Sequence, residues 1–565
     1  MSDRQGTGLA VLAGALIAGA VLAAYANAFS APFVFDGATI LANNPTIRHL
    51  GTAFFPPHDG STVDGRPLVN LSLAVNYAIS GTGVWSYHAL NLAIHLLAAW
   101  LLYGIVRRTV PGGPASSAAA AFAIALLWAV HPLQTESVTY IAQRAESLAG
   151  LCYLLALYGL IRGARENRPA WLVVSFLGCL LGTTAKEVIV SAPVLILLYD
   201  RTFVAGTFRA AWDQRRRYYL ALAASWIPLA ALVLGSAGRH GTAGFATGIS
   251  WLGYLKIQAF AVPHYLRLAL WPSPLVFDYG PLFGPGRWYL PASLLLLLLA
   301  GTLVGLRRRD PASRTAGFLG AWFFALLAPT ALVPVATQTI AEHRMYLPLA
   351  AVVAAVVLAL GRAVGRPAVL AIAAVFVAVG LGTASAARNR AYASELALWS
   401  DTVAKRPGND RAHNNLGNAL FAAGRVPEAL DEYEQALRLH PQDNAEVQYN
   451  LGLALARLGR WHEAIAPAAE AVRLAPENPD AHASLGTALA NAGRMGEALG
   501  QFQAAVRLNS GSAALHNDLG SAWFFLGRRA EAAAEYSEAL RIDPGYADAR
   551  NALDHFAEPA AAAKP

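Results

Sequence analysis

Long apolar runs separated by short polar links fill this chain from about residue 8 to residue 384. After that the pattern turns polar and alanine-rich. A bilayer is crossed by about 20 apolar residues. On that measure the runs predict eleven spans, near 8–29, 87–106, 116–132, 145–162, 169–184, 187–200, 218–236, 288–306, 315–334, 346–361 and 367–384. The stretches 68–80 and 250–270 are amphipathic, the second punctuated by Lys256, His264 and Arg267, and they read as helices lying along the membrane surface. Tyr25-Ala26-Asn27-Ala28 has the small-residue character of a signal-peptide cleavage site, but the run before it is long enough to span and reads as a retained first helix.

Composition agrees with a membrane part and a soluble tail. The 565 residues are 56% hydrophobic with a mean hydropathy of +0.40. The net charge of +8 resides mostly in arginines between spans. With the N-terminus inside, Arg107-Arg108, Arg162/Arg165/Arg168, Arg201/Arg209, Arg215-Arg216-Arg217, Arg307-Arg308-Arg309 and Arg362/Arg366 all fall in inner loops, as cytoplasmic loops prefer. Eleven spans then place the tail on the extracytoplasmic side, and the Ala/Arg-rich composition leans towards a bacterial inner membrane. No basic stripe marks the tail, so nucleic acid is not an expected partner. Cys152 and Cys179 both lie inside apolar runs and read as small core residues.

The tail repeats itself. Leu416-Gly417, Leu451-Gly452, Leu485-Gly486 and Leu519-Gly520 place their glycines 35, 34 and 34 residues apart. Ala429, Ala464, Ala498 and Ala532 follow at fixed offset, then Ala436, Ala471, Ala505 and Ala539. Pro441, Pro476 and Pro544 close three repeats, and Ser510 stands in for proline in the third. This is the tetratricopeptide (TPR) pattern of paired helices stacked into a solenoid. The predicted organisation is a membrane domain over 1–388, an array of a half repeat (around Trp399 to Pro407) plus four repeats over 389–556, and a disordered tail over 557–565. Leu553 and Phe556 are expected to cap the array. Asn415 and Asn450, two residues before their glycines, are candidates for gripping an extended peptide; Ser484 and Asp518 occupy the same place in later repeats. Polar residues there could also simply solvate the groove.

Charged residues inside the apolar part are costly and therefore informative. Asp36, Glu136, Arg144, Lys186, Glu187, Glu342, His343 and Arg344 sit at span ends that the alternation assigns to one face. Asp36 could deprotonate a hydroxyl, hold a cation, or only form an Asp-Gly turn. Arg144 lies eight residues after Glu136, about two helical turns on. It could clamp a phosphate or pair with a nearby acid. Lys186 has the same two readings.

The ordered set Phe35-Asp36, Asn44-Pro45, Arg66-Pro67-Leu68, His88 through Asn91 to His95, His131-Pro132 with Thr135-Glu136, Arg144-Ala145-Glu146, Lys186-Glu187, and Glu342-His343-Arg344 with Tyr346-Leu347-Pro348, followed by the repeats, resembles the transmembrane and TPR repeat-containing O-mannosyltransferases. The resemblance implies a mainly α, polytopic GT-C type fold. It implies transfer of a mannose-like sugar from a polyprenyl-phosphate carrier to an acceptor such as protein Ser or Thr, recruited by the repeats. It assigns Asp36 as base and Arg144, Lys186 and Arg344 to the donor phosphate. Glu136, Glu187, Glu342, His343, Arg66 and His131 become supporting residues. One departure is visible: the family commonly carries a second acid after the first, and here that residue is Gly37. Metal dependence is left open. The rival expectation is a non-catalytic, membrane-anchored scaffold whose repeats bind proteins; a glycan or lipid acceptor is a third.

Overall fold

A computed structural model describes residues 3–59, 61–235, 244, 249–280, 286–335, 337–441 and 444–557. The chain forms two compact units, Met1–Asp401 and Thr402–Pro565. In the first, the apolar runs become helices: α1 (Asp3–Tyr25), α2 (Asp36–Asn43), α3 (Pro67–Ser80), α4 (Val84–Thr109), α5 (Pro114–Ala129), α6 (Thr135–Thr139), α7 (Arg144–Arg165), α8 (Ala170–Thr183), α9 (Ala192–Phe203), α10 (Phe208–Ala224), α11 (Trp226–Gly235), α12 (Trp251–Leu270), α13 (Tyr289–Arg307), α14 (Pro311–Leu332), α15 (Pro348–Val364) and α16 (Pro367–Asn389). The unit boundary falls within α17 (Glu395–Lys405).

All eleven expected spans are helical, but not all have spanning length. Among the described residues, seven segments are long and apolar enough, and α5 with the bent stretch Pro132–Thr139 makes an eighth if the pair is one span. Helices α8 and α15 are apolar but shorter, with 14 and 17 residues. The run 187–200 is shorter still. Its first turn is a 3₁₀ segment, Glu187–Ser191, leaving α9 only 12 residues, about 18 Å of helix against a hydrocarbon core of about 30 Å. Helices α3 and α12 are not among the segments of spanning length and composition.

Small residues set the closest helix contacts. A Cβ on Gly159 of α7 would lie 2.7 Å from the Trp171 carbonyl and 2.8 Å from the Ser175 nitrogen of α8. Gly305 of α13 faces the Ser313 carbonyl of α14 at 2.8 Å in the same sense. Close backbone approach of this kind stands in for the hydrophobic effect between helices in lipid. The most apolar stretch of α7 is 67% buried, whereas that of α13 is 11% buried. Helix α7 therefore sits in the core and α13 at the lipid-facing rim.

The second unit is four helix pairs, α18 (Asp410–Ala422) with α19 (Val426–Leu439), α20 (Ala445–Arg457) with α21 (Trp461–Leu474), α22 (Pro479–Asn491) with α23 (Met495–Leu508), and α24 (Ala513–Phe525) with α25 (Arg529–Ile542), followed by α26 (Ala547–Ala557). Each first helix is capped by a side-chain oxygen, from Asn409, Asn444, Asn478 or Ser512, accepting a backbone N–H. The repeat glycines let the second helix close in. Gly417, Gly486 and Gly520 lie against the rings of Tyr433, Phe502 and Tyr536, where a Cβ would sit 2.5, 2.8 and 2.9 Å away; Gly452 faces only Ala468, at 3.4 Å. Leu553 packs on the last pair as the expected cap. The Phe556 side chain and residues 558–565 lie outside the described residues.

Two predictions concern this array. Gly417→Ala should destabilise it by about 1–3 kcal/mol through overpacking. Gly452→Ala should be neutral or slightly stabilising, because alanine favours helix by about 1 kcal/mol. Denaturant melting of the two variants checks this, and equal losses would refute it. Asp518 is the acidic member of the groove positions, and burial pushes its carboxyl up to about 6. A raised carboxyl favours the folded array while protonated, and that contribution is lost as pH rises through the folded value. The array should thus lose about 2 kcal/mol between about pH 4 and pH 6. Asp518→Asn should abolish that slope in melting curves taken across the range.

Candidate active site

The first loop aims Asp36 with a strained residue. Phe35 adopts φ 49° and ψ −126°, an unusual conformation for a bulky side chain. Its N–H donates to the Glu395 carboxylate (3.0 Å), and its ring packs edge-on against Phe277 and Trp399. The next residue, Asp36, opens α2 and lines a cavity with Ile40, Asn43, Asn44, Asp59, Ser61 and Thr62. This cavity holds about 790 Å³ of unfilled space, open mouth included. The Ser61 and Thr62 hydroxyls are buried without a hydrogen-bond partner. Among the described residues no three His, Cys, Asp or Glu side chains converge as a metal site.

The ends of several helices meet beside this cavity. Asn389 at the end of α16 donates to the Ala24 carbonyl (3.0 Å) at the end of α1 and to Asn27 (2.9 Å) in the turn after it, and accepts from Thr139 (2.8 Å). Glu136 of α6 accepts the His343 backbone N–H (2.9 Å) and faces His343 Nδ1 (2.7 Å). Burial first, then the Lys186 charge, holds the His343 imidazole well below its usual range. Burial therefore favours the neutral imidazole, with Nδ1 and the Glu136 carboxyl sharing one hydrogen bond. Glu342 accepts from the Val276 N–H (2.5 Å) and the Tyr279 hydroxyl (2.7 Å), and Arg388 lies 4.0 Å away. Arg388 also pairs with Asp401 at 2.7 Å. Arg344 donates to the Thr339 and Gln338 carbonyls, each at 2.8 Å. Tyr140 links the two regions: after burial, the charges of Asp36 and Glu136 raise its hydroxyl well above the usual phenol range.

A second cleft lies on the other side of the segment Ser61–Arg66. Asp64, Arg66, Thr183, Lys186 and Glu187 meet Leu229, Leu232 and Val233 of α11 there. Arg66 donates to the Thr62 carbonyl (2.8 Å) and approaches Glu187 at 3.5 Å, while its Nε–H is buried without an acceptor. Lys186 pairs with Glu146. The apolar wall continues outward, since Ile227, Val233 and Leu234 are exposed.

Two of the expected residues do other work. Arg144 is wholly enclosed and donates to Asn91 (2.6 Å), Asn76 (2.6 Å), Ser72 (3.2 Å) and the Tyr87 carbonyl (2.9 Å). Neutral oxygens take up its donors, so it ties α3, α4 and α7 together and has no open face for a phosphate. His131 caps the turn Pro132–Gln134, its Nδ1 accepting from the Leu133 N–H (3.2 Å) while Nε2 faces the Ala269 carbonyl (3.2 Å). Sequence reasoning missed Arg388, Asp59, Ser61 and Thr62. Arg388 did carry a signal: it ends a span on the face where arginine is otherwise sparse. In the array, Asn450 donates to Asn414 (3.0 Å), which donates to Glu446 (2.9 Å); Asn415 is half-buried.

Residues 64–234 match the family model of dolichyl-phosphate-mannose-protein mannosyltransferases. Tetratricopeptide-repeat models match 408–477, 449–513 and 483–547. Among curated proteins, Protein O-mannosyl-transferase Tmtc1 of Drosophila melanogaster is 28% identical over 309 residues, 48% of this chain and 34% of that protein. Human Protein O-mannosyl-transferase TMTC1 is 32% identical over 224 residues, 35% and 25% respectively. Protein O-mannosyl-transferase F38B6.6 of Caenorhabditis elegans is 25% identical over 443 residues, 74% of this chain and 61% of that one. The chain thus aligns with only part of each relative's length. Among solved structures, the TPR protein YrrB, described as having an unusual peptide-binding site, is 28% identical and covers 28% of this chain and 81% of its own, with a TM-score of 0.26. A mannosyltransferase-family segment and a TPR array thus share one polypeptide, and the chain is similar to the TMTC protein O-mannosyl-transferases, the resemblance first read from its motifs.

Proposed function

We propose that this chain is an integral-membrane glycosyltransferase that moves a mannose-like sugar from a polyprenyl-phosphate carrier to a hydroxyl of a protein acceptor. The observation that carries this reading is the Arg66–Lys186 cleft walled by α11. Cations beside a continuous apolar surface suit a phosphate attached to a membrane-embedded tail. A soluble sugar nucleotide would not need that wall. The neighbouring cavity bears carboxylates, amides and hydroxyls, the groups that hydrogen-bond sugar and alcohol hydroxyls.

In this reading Asp36 accepts the proton of a Ser or Thr hydroxyl as its oxygen attacks the anomeric carbon. The bond from that carbon to the phosphate oxygen breaks, and the electron pair stays on the phosphate. Arg66, Lys186 and Arg344 meet the charge that develops there, where fixed donors act most strongly. Arg66 supplies a buried N–H that has no acceptor, and Arg344 is bonded to carbonyls. Arg144 and His131 become positioning residues. Glu136 orients His343, and Glu342 orients Arg388. The charged end faces away from the cytoplasm, in a bacterial inner membrane, and the array recruits the acceptor polypeptide through Asn415, Asn450 and their groove. A mere scaffold would need one span and no buried charge network, so that reading loses its support.

Asp36→Asn should lower transfer by roughly 10²–10⁴-fold, the usual contribution of a positioned base, with insertion and melting temperature retained. Purified protein with polyprenyl-phosphate mannose and Ser/Thr peptides provides the assay; full transfer by this variant would overturn the role of Asp36. Arg66→Gln and Lys186→Gln should each reduce kcat by roughly 10²-fold, as loss of one fixed transition-state donor does. Kinetics unchanged in both variants would remove the phosphate from this cleft.

A further inference from the structure

A third cleft runs from the far end of α4 up to Ala350 in the first turn of α15, and no part of the proposed reaction uses it. It runs between α4, α7, α9, α14 and α15, lined by Leu102, Val106, Leu157, Phe318, Trp322 and Ala354 among others. It holds about 590 Å³ of unfilled space, open mouth included, and its lining is almost entirely apolar. Thr109, Phe203 and Thr315 stand at its rim. Thr109 at the rim is about 27 Å along α4 from Asn91, which bonds Arg144.

Arginines flank this rim along the chain: Arg314 precedes Thr315, and Arg201 lies two residues before Phe203. Arg314 donates to the Arg201 and Gly206 carbonyls (2.9 and 3.1 Å), and its Nε–H is buried without an acceptor. Arg201 stacks its guanidinium over Phe208 (5.5 Å), leaves one Nη1 buried and unbonded, and feels the Arg314 charge. Arg165 donates to the Phe203 and Arg108 carbonyls. The nearby acids are committed elsewhere. Asp200 is held by Arg215 (2.7 and 2.8 Å) and the Tyr219 hydroxyl, Glu166 by Arg108 (3.2 Å) and Arg162 (2.5 Å), and Asp310 caps α14 through the Ser313 N–H (2.7 Å).

We propose that this cleft binds an anionic phospholipid from the cytoplasmic leaflet, its phosphate on Arg201 and Arg314 and one acyl chain between α4 and α15. Two like charges whose buried N–H groups have no acceptor in the protein suit an anion. The apolar slot starting at the same rim requires a hydrocarbon chain. A phospholipid satisfies both, and basic pockets between helices on the cytoplasmic side are where such headgroups bind. The site is independent of the transfer reaction.

Native mass spectrometry of the delipidated full-length protein in neutral detergent tests this, with phosphatidylglycerol, phosphatidylcholine and inorganic phosphate added separately and melting temperature read in parallel. Phosphatidylglycerol should be retained and should raise the melting temperature, and the other two should not. Arg201→Gln with Arg314→Gln should weaken retention by roughly tenfold or more. Leu319 also lines the slot; Leu319→Trp, which fills it without touching charge, should weaken retention as well, and serves if the arginine variant fails to fold. Protection by inorganic phosphate equal to that by phosphatidylglycerol would overturn the proposal. So would equal retention of both lipids, or undiminished phosphatidylglycerol binding in the slot-filled variant.

Discussion

An ionic group removed from water at membrane depth has to find its partners within the protein, and the first unit is arranged around that requirement. Glu136, Glu342, Arg344 and Arg388 are all nearly inaccessible. Each is met by something fixed: a backbone N–H, a carbonyl, a tyrosine hydroxyl or an opposite charge. Removing one member of such a set leaves the other charged and unsolvated, which is far costlier than the pair is worth. The helix ends that carry these groups therefore cannot drift apart independently. That is how short or bent segments such as α6 and the turn Glu342–Met345 hold position without regular packing of their own.

Elsewhere the same chain relies on steric closeness. In the bundle, Gly159 and Gly305 allow backbones to touch; in the array, Gly417, Gly486 and Gly520 admit an aromatic ring. The two settings use glycine for one physical reason, the absence of a Cβ. The second repeat departs from the pattern because Ala468 replaces the ring, so its glycine is under less pressure.

Much of this was legible in the sequence, for reasons that differ by feature. Apolar runs and the spacing of Leu-Gly pairs are local signals, and they returned the helices and the repeats. The acids and cations at span ends were legible because charge in an apolar run is rare. Their individual roles were harder to read. Arg144 looks like any buried cation in one dimension, yet its partners Asn76 and Asn91 are neutral residues 68 and 53 positions away. His131 is expected only as a supporting residue, and the cap it makes on the turn Pro132–Gln134 shows in three dimensions alone. Asp59, Ser61 and Thr62 resemble an ordinary polar loop, and only the path of the chain turns them towards Asp36. The short α9 was overcounted because hydropathy does not register that Glu187–Ser191 winds as a tighter turn.

The segment from Ser61 to Arg66 is a partition with two faces. Thr62 presents its hydroxyl side to the Asp36 cavity, and through its carbonyl it holds the Arg66 guanidinium in the adjoining cleft. One residue thus walls the first compartment and holds the cation of the second, so the spacing between the two is set by a single short stretch of backbone.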